Sequence, residues 1–354
     1  MAKRSLGLDR NPCGSVAFTR PIATEARRGT LRAMPSRVLL LGATGTIGRA
    51  TLRVLLARGC EVLCWVRPNR PDVRAWPAGV VVREADFADA ESLSQQAERG
   101  ERFCAVVSCM ASRTGGPHDA WAIDHLAHRH VLHAAERAGA TRFVLLSAIC
   151  VQKPRLAFQH AKLAFERELQ ASDLDWSIVR PTAYFKSLSG QVKRVREGKP
   201  FVVFGDGRLT ACKPISDDDL AAYLVGCLDD PSRSRRILPI GGPGEAITPL
   251  DQGTRLFEML GRPPRVRHMP VAMIDGIAGA LGAAARVLPA LEAKAELARI
   301  GRYYATESML VWDEAAGKYD DGATPSYGTQ TLWDHYAALL RGEAVAGLGE
   351  HAVL

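Results

Sequence analysis

Short apolar runs alternate with helical patterns along the chain from Ser36 onward. The first run, residues 38–41, is uninterrupted, which indicates a strand that is buried on both faces. A helix is predicted over residues 47–57, with Gly59 just past its end, where glycine commonly stops a helix. Strands separated by helical crossovers are typical of a parallel sheet. The pattern therefore predicts an α/β fold built on a Rossmann-type, doubly wound parallel sheet.

The alternation continues through the first half of the chain and loosens after Pro181. Further strands are predicted at 61–66, 79–83, 104–109, 142–147, 176–180, 201–204 and 237–240. Further helices are predicted at 90–99, 119–138, 156–171, 219–228, 249–260 and 331–340. We therefore expect a sheet domain at 36–180, a smaller and mainly helical part at 181–341, and a tail at 342–354.

The amino-terminal segment, residues 1–35, has no strand or helix periodicity and is predicted to be disordered. Its first 33 residues carry seven Lys or Arg against two acids, which is +5 of the net charge of +8. Two interpretations fit: an organellar transit peptide, or an upstream start codon in a bacterial gene whose true start is Met34. The second is preferred, and with it a cytoplasmic location. The remaining chain shows no basic stripe, so nucleic acid is not a predicted partner.

No run of 18 uncharged apolar residues occurs, so the sequence predicts no membrane span. The segment 270–291 comes nearest, because it is rich in Ala, Leu, Ile and Val. We expect it to be core or to line a pocket. The alternative is docking on a membrane surface or around an apolar ligand, which would make membrane contact peripheral.

Eight cysteines are scattered without a C-x-x-C pair, which argues against a zinc site or an iron–sulfur cluster and is typical of a reduced, intracellular protein. Five histidines lie between positions 118 and 133, but they do not share one helix face with the spacing of a ligand triad. We predict a solvated helix face there and no metal. The sequence specifies no oligomeric state.

The loop 42–48, Gly-Ala-Thr-Gly-Thr-Ile-Gly, lies between the first predicted strand and helix. In this context the three glycines permit a tight turn, close approach of pyrophosphate, and close packing of helix on strand. The amino terminus of the helix then offers free N–H groups to phosphate. The loop therefore predicts a dinucleotide site.

The residues at the end of the second strand indicate which dinucleotide is bound. An acid there would suit the ribose hydroxyls of NAD, but Val66 is followed by Arg67, with Arg70 close by. A guanidinium suits the 2′-phosphate of NADPH, which is the predicted cofactor. Asp86, after the third strand, is placed near the adenine amino group or caps the next helix.

Ser147 ends the fifth strand, and Lys162 follows fifteen residues later. Ordinary short-chain dehydrogenases carry Ser and then Tyr-x-x-x-Lys, in which the tyrosine donates a proton. Here the tyrosine position is Phe158, which has no proton to give. Two explanations remain open: a nucleotide sensor without activity, or reduction of a conjugated carbon–carbon double bond, in which Lys162 orients the ribose and aids protonation.

Aromatic and basic residues follow the sixth strand. Tyr184 is an alternative proton donor, Phe185 a candidate stacking surface, and both fit core positions equally well. The predicted catalytic residues are Lys162, Ser147 and Tyr184. The predicted cofactor-binding residues are Gly42, Thr44, Gly45, Thr46, Ile47, Gly48, Arg67, Asp86, Ser108, Ala111, Lys162 and Pro181. The predicted substrate-binding residues are Phe158, Tyr184, Phe185 and Lys186.

Together these residues resemble the atypical short-chain dehydrogenases of the isoflavone-reductase and NmrA-like type. Five longer segments narrow the resemblance: SCMASRTG at 108–115, LLSAICVQKP at 145–154, FKSLSGQ at 185–191, ACKPIS at 211–216 and ARIGRYYATESM at 298–309. They are similar to those of the single-subunit, NADPH-dependent divinyl chlorophyllide 8-vinyl reductases of plants and photosynthetic bacteria.

This resemblance covers residues 36–341 and implies reduction of the 8-vinyl group of divinyl chlorophyllide a or protochlorophyllide a to ethyl. A vinyl group conjugated to a tetrapyrrole is an alkene acceptor, so the missing tyrosine is tolerable. The pigment's propionate would favour a basic partner such as Lys186, Lys213 or Arg302. Two alternatives stay open: another conjugated or quinone-like substrate, and an NADPH-sensing regulator without activity.

Overall fold

Eleven strands occur in the computed structural model, which describes residues 37–68, 76–98 and 102–343. They are β1 (Arg37–Leu41), β2 (Glu61–Val66), β3 (Val80–Glu84), β4 (Ala105–Ser108), β5 (Arg142–Leu146), β6 (Asp175–Pro181), β7 (Phe201–Phe204), β8 (Arg236–Ile240), β9 (Val266–Met269), β10 (Val311–Asp313) and β11 (Lys318–Asp320). Seven of them form a parallel sheet in the order β3-β2-β1-β4-β5-β6-β8. The predicted Rossmann-type sheet is confirmed.

Helices connect and flank these strands. They are α1 (Thr46–Ala57), α2 (Ala90–Glu98), α3 (Pro117–Ala120), α4 (His128–Arg137), α5 (Ala157–Ala171), α6 (Phe185–Leu188), α7 (Val192–Arg196), α8 (Asp217–Gly226), α9 (Pro249–Met259), α10 (Val271–Ala285), α11 (Glu292–Thr306) and α12 (Leu332–Arg341). Short 3₁₀ turns occur at Ile149–Gln152, Pro231–Arg233 and Pro289–Leu291. Strands β7 and β9 pair in parallel, and β10 and β11 form an antiparallel pair.

The continuous apolar run of β1 is buried on both faces of the sheet, as predicted. Leu39 and Leu41 belong to the core layer shared with α4 and α5, whereas Val38 and Leu40 belong to the layer shared with α1 and α8. Successive side chains of a strand point to opposite faces, so one strand contributes to both layers. Because both faces of β1 are packed against helices, the carboxyl end of this strand is held in a fixed position.

The predicted helix at 119–138 is interrupted. A π-helical segment, Trp121–Ala127, separates α3 from α4. A π-helical turn widens the hydrogen-bond ring and leaves backbone groups for other partners. One such group is the carbonyl of Ile123, which accepts a hydrogen bond from Nδ1 of His128 at 2.8 Å. π-helical turns are frequent at functional sites, and this one lies beside the candidate site described below.

The apolar segment 270–291 forms α10 and the turn after it, and the prediction that it is core is wrong. Ala278 is the buried residue of α10, whereas Met273 and Ile277 are 40% and 49% exposed. The helix packs on α11, but most of its residues are exposed, so one side is covered and the other faces solvent. Among the described residues, no helix is both long and apolar enough to cross a membrane.

Two predictions lie outside the described ranges, namely that residues 1–35 are disordered and that residues 342–354, most of which are not described, form a tail. The division of the chain at residue 180 stays a prediction. Strand β8 comes from beyond that point and pairs with β6, with Val179 opposite Leu238. The sheet therefore uses residues from both predicted parts.

Candidate functional site

The loop between β1 and α1 has a geometry that only glycine permits at two positions. Gly42 has φ of +70°, and a Cβ there would lie 2.5 Å from the carbonyl oxygen of Cys109. A Cβ on Gly48 would lie 2.0 Å from the carbonyl oxygen of Gly42. Gly45 precedes α1, and no side chain caps the helix there. The first N–H groups of α1 are therefore available to an anion, as a pyrophosphate site requires.

This loop borders a cavity of about 790 Å³ at the carboxyl ends of β1, β2, β4, β5 and β6. Its far wall comes from the second half of the chain and includes Leu297, Ile300 and Tyr304 of α11. The volume is near the top of the range of about 300–1,000 Å³ for small-molecule sites. The predicted site residues that line the cavity are Gly42, Thr44, Gly45, Thr46, Ile47, Gly48, Arg67, Ala111, Ser147, Phe158, Lys162, Pro181, Tyr184 and Lys186.

Three predicted site residues, Asp86, Ser108 and Phe185, do not line this cavity. Asp86 is exposed, and its carboxylate accepts a hydrogen bond from the Ala88 N–H at 2.9 Å. It holds the turn before α2 but does not cap the helix, because the first turn of α2 donates instead to Asp89, through the N–H of Ser92 at 3.0 Å. Phe185 is 4% exposed and stacks at 5.5 Å on His335 in the core around α12. It therefore presents no surface to a ligand.

Ser108 is fully buried behind the cavity, and its hydroxyl oxygen accepts the N–H of Met110, in the chain after β4, at 3.4 Å. Nδ1 of His128 faces the Ile123 carbonyl, which can only accept, so this nitrogen carries the proton. Burial, assisted by the charge of Lys162, lowers the pKa of His128 to about 4, so the ring is neutral at pH 7. Its Nε2 is then an acceptor, and the Ser108 hydroxyl donates to it at 2.8 Å.

Lys162 projects from α5 toward the cavity and is 11% exposed. Its ammonium donates to Oδ1 of Asp124 on the π-helical segment at 2.9 Å, and the Asp124 side chain is fully buried. The same oxygen accepts the N–H of Ser112 at 3.2 Å. Oδ2 of Asp124 has no hydrogen-bond partner among the described residues. The ammonium is thus held by a carboxylate that also fixes the loop after β4.

Ser147 lines the cavity, but its hydroxyl hydrogen is used inside the protein. It donates to Oε1 of Glu166 at 2.5 Å, and both side chains are buried. Glu166 in turn forms an ion pair with Arg180, whose Nε lies 3.2 Å from Oε1. The lone pairs of the hydroxyl, rather than its hydrogen, remain for a ligand. The catalytic role of Ser147 stays a prediction.

Aromatic residues form the part of the cavity around Lys162. Phe158 is 9% exposed and lies beside Gly115, where an added Cβ would be 3.6 Å from its ring. Tyr184 is half-buried, and its hydroxyl has no hydrogen-bond partner among the described residues. Burial raises the pKa of Tyr184, so its phenol stays protonated at neutral pH. Tyr304 also lines the cavity and is 38% exposed.

Lys186 lies next to the phosphate loop. Its ammonium donates to the hydroxyl of Thr46 at 3.1 Å, and both residues line the cavity. The other two cations considered for a substrate carboxylate lie elsewhere. Lys213 is buried and bound to Asp321, and Arg302 forms an ion pair with Asp275 outside the cavity.

Arg67 follows β2, is largely exposed, and lines the cavity with Val66 and Phe87. Among the described residues 61–68 and 76–98, which include the end of β2, no carboxylate lines the cavity. An acid that would select the ribose hydroxyls of NAD is therefore absent from this described edge.

Three residues of the site were not predicted from the sequence, namely Asp124, Glu166 and Tyr304. Asp124 and Glu166 carry a signal: each is an acid on the apolar face of a helix, where a charge needs a partner. Tyr304 lies in a segment that the family resemblance uses, but its direction depends on how α11 packs. Its hydroxyl lies 3.9 Å from the sulfur of Cys150.

Of the five histidines between positions 118 and 133, His125, His128 and His130 bind protein groups, so the predicted solvated helix face is wrong for these three. His125 and Arg129 contact Glu168 at 2.8 and 2.7 Å, and Nδ1 of His130 lies 3.0 Å from the Phe87 carbonyl. Among the described residues, no group of three or more His, Cys, Asp or Glu has a geometry that could hold a metal ion.

A family model described as NAD(P)H-binding matches residues 42–231, which contain the glycine loop and the strands around the cavity. Solved structures share the fold. An NADPH-dependent quinone oxidoreductase from Escherichia coli, complexed with NADPH, superposes with a TM-score of 0.63 at 19% identity. The match covers 86% of this chain and 99% of that one. At this identity the likeness shows the fold alone.

Sequence relatives are much closer. A protein of Oryza sativa subsp. indica is 48% identical over 94% of this chain and 86% of its own length. One of Arabidopsis thaliana is 46% identical over 88% of this chain and 79% of its own length. Both are described as divinyl chlorophyllide a 8-vinyl-reductase, chloroplastic. At this identity and coverage, the chain belongs to the divinyl chlorophyllide a 8-vinyl-reductase family of oxidoreductases.

Proposed function

We propose that this protein reduces the 8-vinyl group of divinyl chlorophyllide a or protochlorophyllide a to ethyl, with NADPH as the hydride donor. The observation that carries the proposal is one cavity that joins a phosphate loop, Lys162 and an aromatic wall, with Phe158 at the position of the usual proton-donating tyrosine. The relatives are named for this reaction.

Different residues along the cavity bind the cofactor and supply the proton. The N–H groups at the start of α1 bind the pyrophosphate, and Lys162 holds the nicotinamide ribose. The bound cofactor supplies a hydride. Addition of hydride to a conjugated alkene leaves a delocalised carbanion, which needs one proton. Tyr184 supplies it in this proposal, because its phenol is protonated at neutral pH and its hydroxyl has no competing partner among the described residues.

NADPH rather than NADH is proposed because of the charge at the end of β2. Arg67 lines the cavity where a 2′-phosphate would lie, and no acid of the described residues 61–68 and 76–98 lines the cavity. A guanidinium binds a phosphate with two parallel hydrogen bonds, whereas a ribose hydroxyl gains little from it.

The substrate end is proposed to lie between Phe158 and α11. Ile300, Leu297 and Tyr304 give this wall an apolar surface, which suits a flat macrocycle. Lys186 is the proposed partner of the pigment's propionate, because Lys213 and Arg302 are engaged outside the cavity.

The test is incubation of the purified full chain with NADPH and divinyl chlorophyllide a, followed by absorption spectroscopy. We expect a blue shift of the Soret band and consumption of NADPH. Tight NADPH binding without a shift would favour a regulator that senses NADPH. NADPH oxidation with a quinone or another conjugated alkene, but not with the pigment, would favour a different substrate.

Peripheral membrane contact is proposed at α10 and the turn after it. Ile277 is 49% exposed, and Val287 and Leu288 are 81% and 57% exposed. Arg286 and Arg299 line a groove between α10 and α11 beside these side chains. Exposed apolar residues next to cations are typical of proteins that bind anionic membrane surfaces.

Flotation with vesicles tests this contact. Binding to vesicles that contain an anionic lipid should exceed binding to neutral vesicles, and Ile277→Asp should weaken it. Ile237→Asp, a matched change at a residue of β8 that is 38% exposed, should have no effect. Equal losses of vesicle binding in both variants would contradict membrane contact through α10.

The cellular location follows from the role of residues 1–33. Cytoplasm is proposed if Met34 is the start, and the chloroplast, which the relatives' descriptions name, if the segment is a transit peptide. Import of the full chain into isolated chloroplasts, with cleavage near residue 33, would decide for the second.

A further inference from the structure

Three carboxylates line the cavity among the described residues, and they differ in what binds them. Asp119 accepts the N–H of Arg113 at 2.8 Å, and Glu307 pairs with Lys153 at 2.7 Å. Oδ1 of Asp217 is buried and has no hydrogen-bond partner among the described residues. Buried polar atoms are nearly always hydrogen-bonded, so an atom without a partner needs an explanation. Of the three carboxylates, that of Asp217 has an oxygen left for a ligand.

The fold does not need this acid as a helix cap. Asp217 is the first residue of α8, and the helix is capped by Ser216, whose hydroxyl accepts the N–H of Asp219 at 3.0 Å. Acids in the first turn also interact favourably with the helix dipole, but Asp218 does so from an exposed position, where it pairs with Arg53 at 2.6 Å. Burial raises the pKa of Asp217, and the charge of Asp218 adds to this effect. The protein thus keeps a carboxylate where its charge is disfavoured, which points to a role in binding.

Asp217 lies at the end of the cavity that is remote from Arg67. The chain before α8 runs beside the chain after β6, where the N–H of Ile215 donates to the Ala183 carbonyl at 2.9 Å. Arg67 follows β2, and strands β1, β4 and β5 lie between β2 and β6 in the sheet. A dinucleotide with its pyrophosphate on the loop before α1 and its 2′-phosphate at Arg67 would therefore extend its nicotinamide toward Asp217.

The chemistry of a carboxylate oxygen restricts the group that it can bind. It accepts hydrogen bonds and repels anions, so the cofactor's pyrophosphate and the pigment's propionate are unsuitable partners. The attraction of Lys186 lowers the pKa of Asp217 but does not outweigh burial, and the Lys186 ammonium donates to Thr46. The donors at the nicotinamide end are the ribose hydroxyls, which the proposed function assigns to Lys162, and the N–H₂ group of the carboxamide. The carboxamide is the donor that remains.

We infer that Asp217 is a cofactor-binding residue, whose unpartnered carboxylate oxygen accepts the N–H₂ group of the nicotinamide carboxamide and so fixes the orientation of the ring. The inference rests on the proposed function, because it takes NADPH as the cofactor. It goes beyond that function by naming the side chain that decides which face of the ring is turned toward the substrate. A charged acceptor forms a stronger hydrogen bond than a neutral one, so the contact contributes measurably to cofactor affinity.

The test compares NADPH with reduced acetylpyridine adenine dinucleotide phosphate, in which a methyl group replaces the N–H₂ of the carboxamide. The dissociation constants of both coenzymes are measured on the full chain by quenching of protein fluorescence. We expect the wild type to bind the analogue about five- to twentyfold more weakly, because the methyl group offers the carboxylate no hydrogen. In Asp217→Ala the two constants should differ by about twofold or less. Asp217→Asn, which keeps a neutral acceptor, should give an intermediate ratio.

Thermal unfolding separates a binding role from a structural one. In Asp217→Asn the midpoint of unfolding should stay within about 3 °C of the wild type, because the buried Oδ1 has no partner to lose among the described residues. A large fall of the midpoint with an unchanged ratio of the two dissociation constants would show a structural role and overturn the inference.

The matched control is Asp218→Ala. Asp218 is the next residue of α8, but it is exposed and does not line the cavity, so this variant should keep the wild-type ratio. A wild type that binds both coenzymes equally, or an Asp217→Ala variant that keeps the wild-type ratio, would overturn the inference. Because the ratio is measured without pigment, a protein that shows the expected ratios but does not reduce the pigment would count against the proposed function alone.

Discussion

The hydroxyl of Ser147 donates its hydrogen to the carboxylate of Glu166 over 2.5 Å, and both side chains are buried. Glu166 also forms an ion pair with the guanidinium of Arg180. In the ordinary dehydrogenase site this serine assists a tyrosine, but here position 158 is phenylalanine and the serine hydrogen points into the protein. The two departures are consistent, since a site without the tyrosine does not need the serine as a donor.

Ser147→Ala is therefore expected to affect folding more than chemistry. The change leaves a buried carboxylate without one donor, which costs roughly 1–3 kcal/mol of unfolding free energy. We expect kcat to fall less than about tenfold. Urea unfolding and steady-state kinetics on the same preparation check both numbers. A loss of kcat above about a hundredfold at unchanged stability would restore the serine as a catalytic group.

Lys162→Ala should abolish measurable turnover, because it removes the one cation that α5 directs into the aromatic part of the cavity. Phe158→Tyr should change kcat less than about threefold, because the proposed reaction takes its proton elsewhere. Both are measured by pigment absorption with saturating NADPH. The reverse pattern, an active Lys162→Ala and a strongly activated Phe158→Tyr, would contradict the proposed mechanism.

Tyr184→Phe should lower kcat by about 10²- to 10⁴-fold, the usual contribution of a general acid, and leave NADPH affinity unchanged. Tyr303→Phe is the matched control. Its hydroxyl donates to the Cys150 carbonyl at 2.9 Å, so its loss should lower stability rather than kcat. If Tyr304→Phe shows the large effect and Tyr184→Phe does not, the donor is Tyr304.

Arg67→Ala should raise the KM for NADPH by about tenfold, which corresponds to roughly 1.4 kcal/mol, and leave the KM for NADH nearly unchanged. The reason is that only NADPH has a 2′-phosphate for the guanidinium. Initial rates with the two cofactors check this. Equal increases for both would show that Arg67 does not contact that phosphate.

His128 predicts how stability depends on pH. Its pKa is about 4 in the folded protein, below the ordinary 6.5, so between these values the unfolded chain binds a proton that the folded protein does not. The free energy of unfolding should be highest above pH 6.5 and should fall by roughly 3 kcal/mol as pH drops to 4. Urea unfolding at several pH values in this range should show that the free energy of unfolding depends less on pH in His128→Gln than in the wild type. His133→Gln, at an exposed position, should leave the pH dependence unchanged. An equal pH dependence in wild type and His128→Gln would exclude this histidine as the cause.

Much of the fold is determined by local sequence. The run Val38–Leu40 can only be a strand with both faces buried, and the glycines at 42 and 48 stand where any Cβ would collide with backbone. These features depend on residues near one another in the chain, so their pattern predicts the sheet, the loop and the dinucleotide site. The longer segments that resemble the reductase family are likewise visible in the sequence alone.

The partners of individual side chains were decided by the tertiary structure. The sequence does not show that Asp124 would meet Lys162 from another helix, nor that Glu166 would take the hydrogen of Ser147, because each pair joins residues 19 or more positions apart. The sequence also did not determine which side chains point into the core. Phe185 is directed into the core, whereas α10, which is apolar on nearly every side, is largely exposed because, among the described elements, α11 is the one helix that packs extensively on it. Periodicity records where apolar groups lie along an element, while packing against distant elements determines which of them are buried.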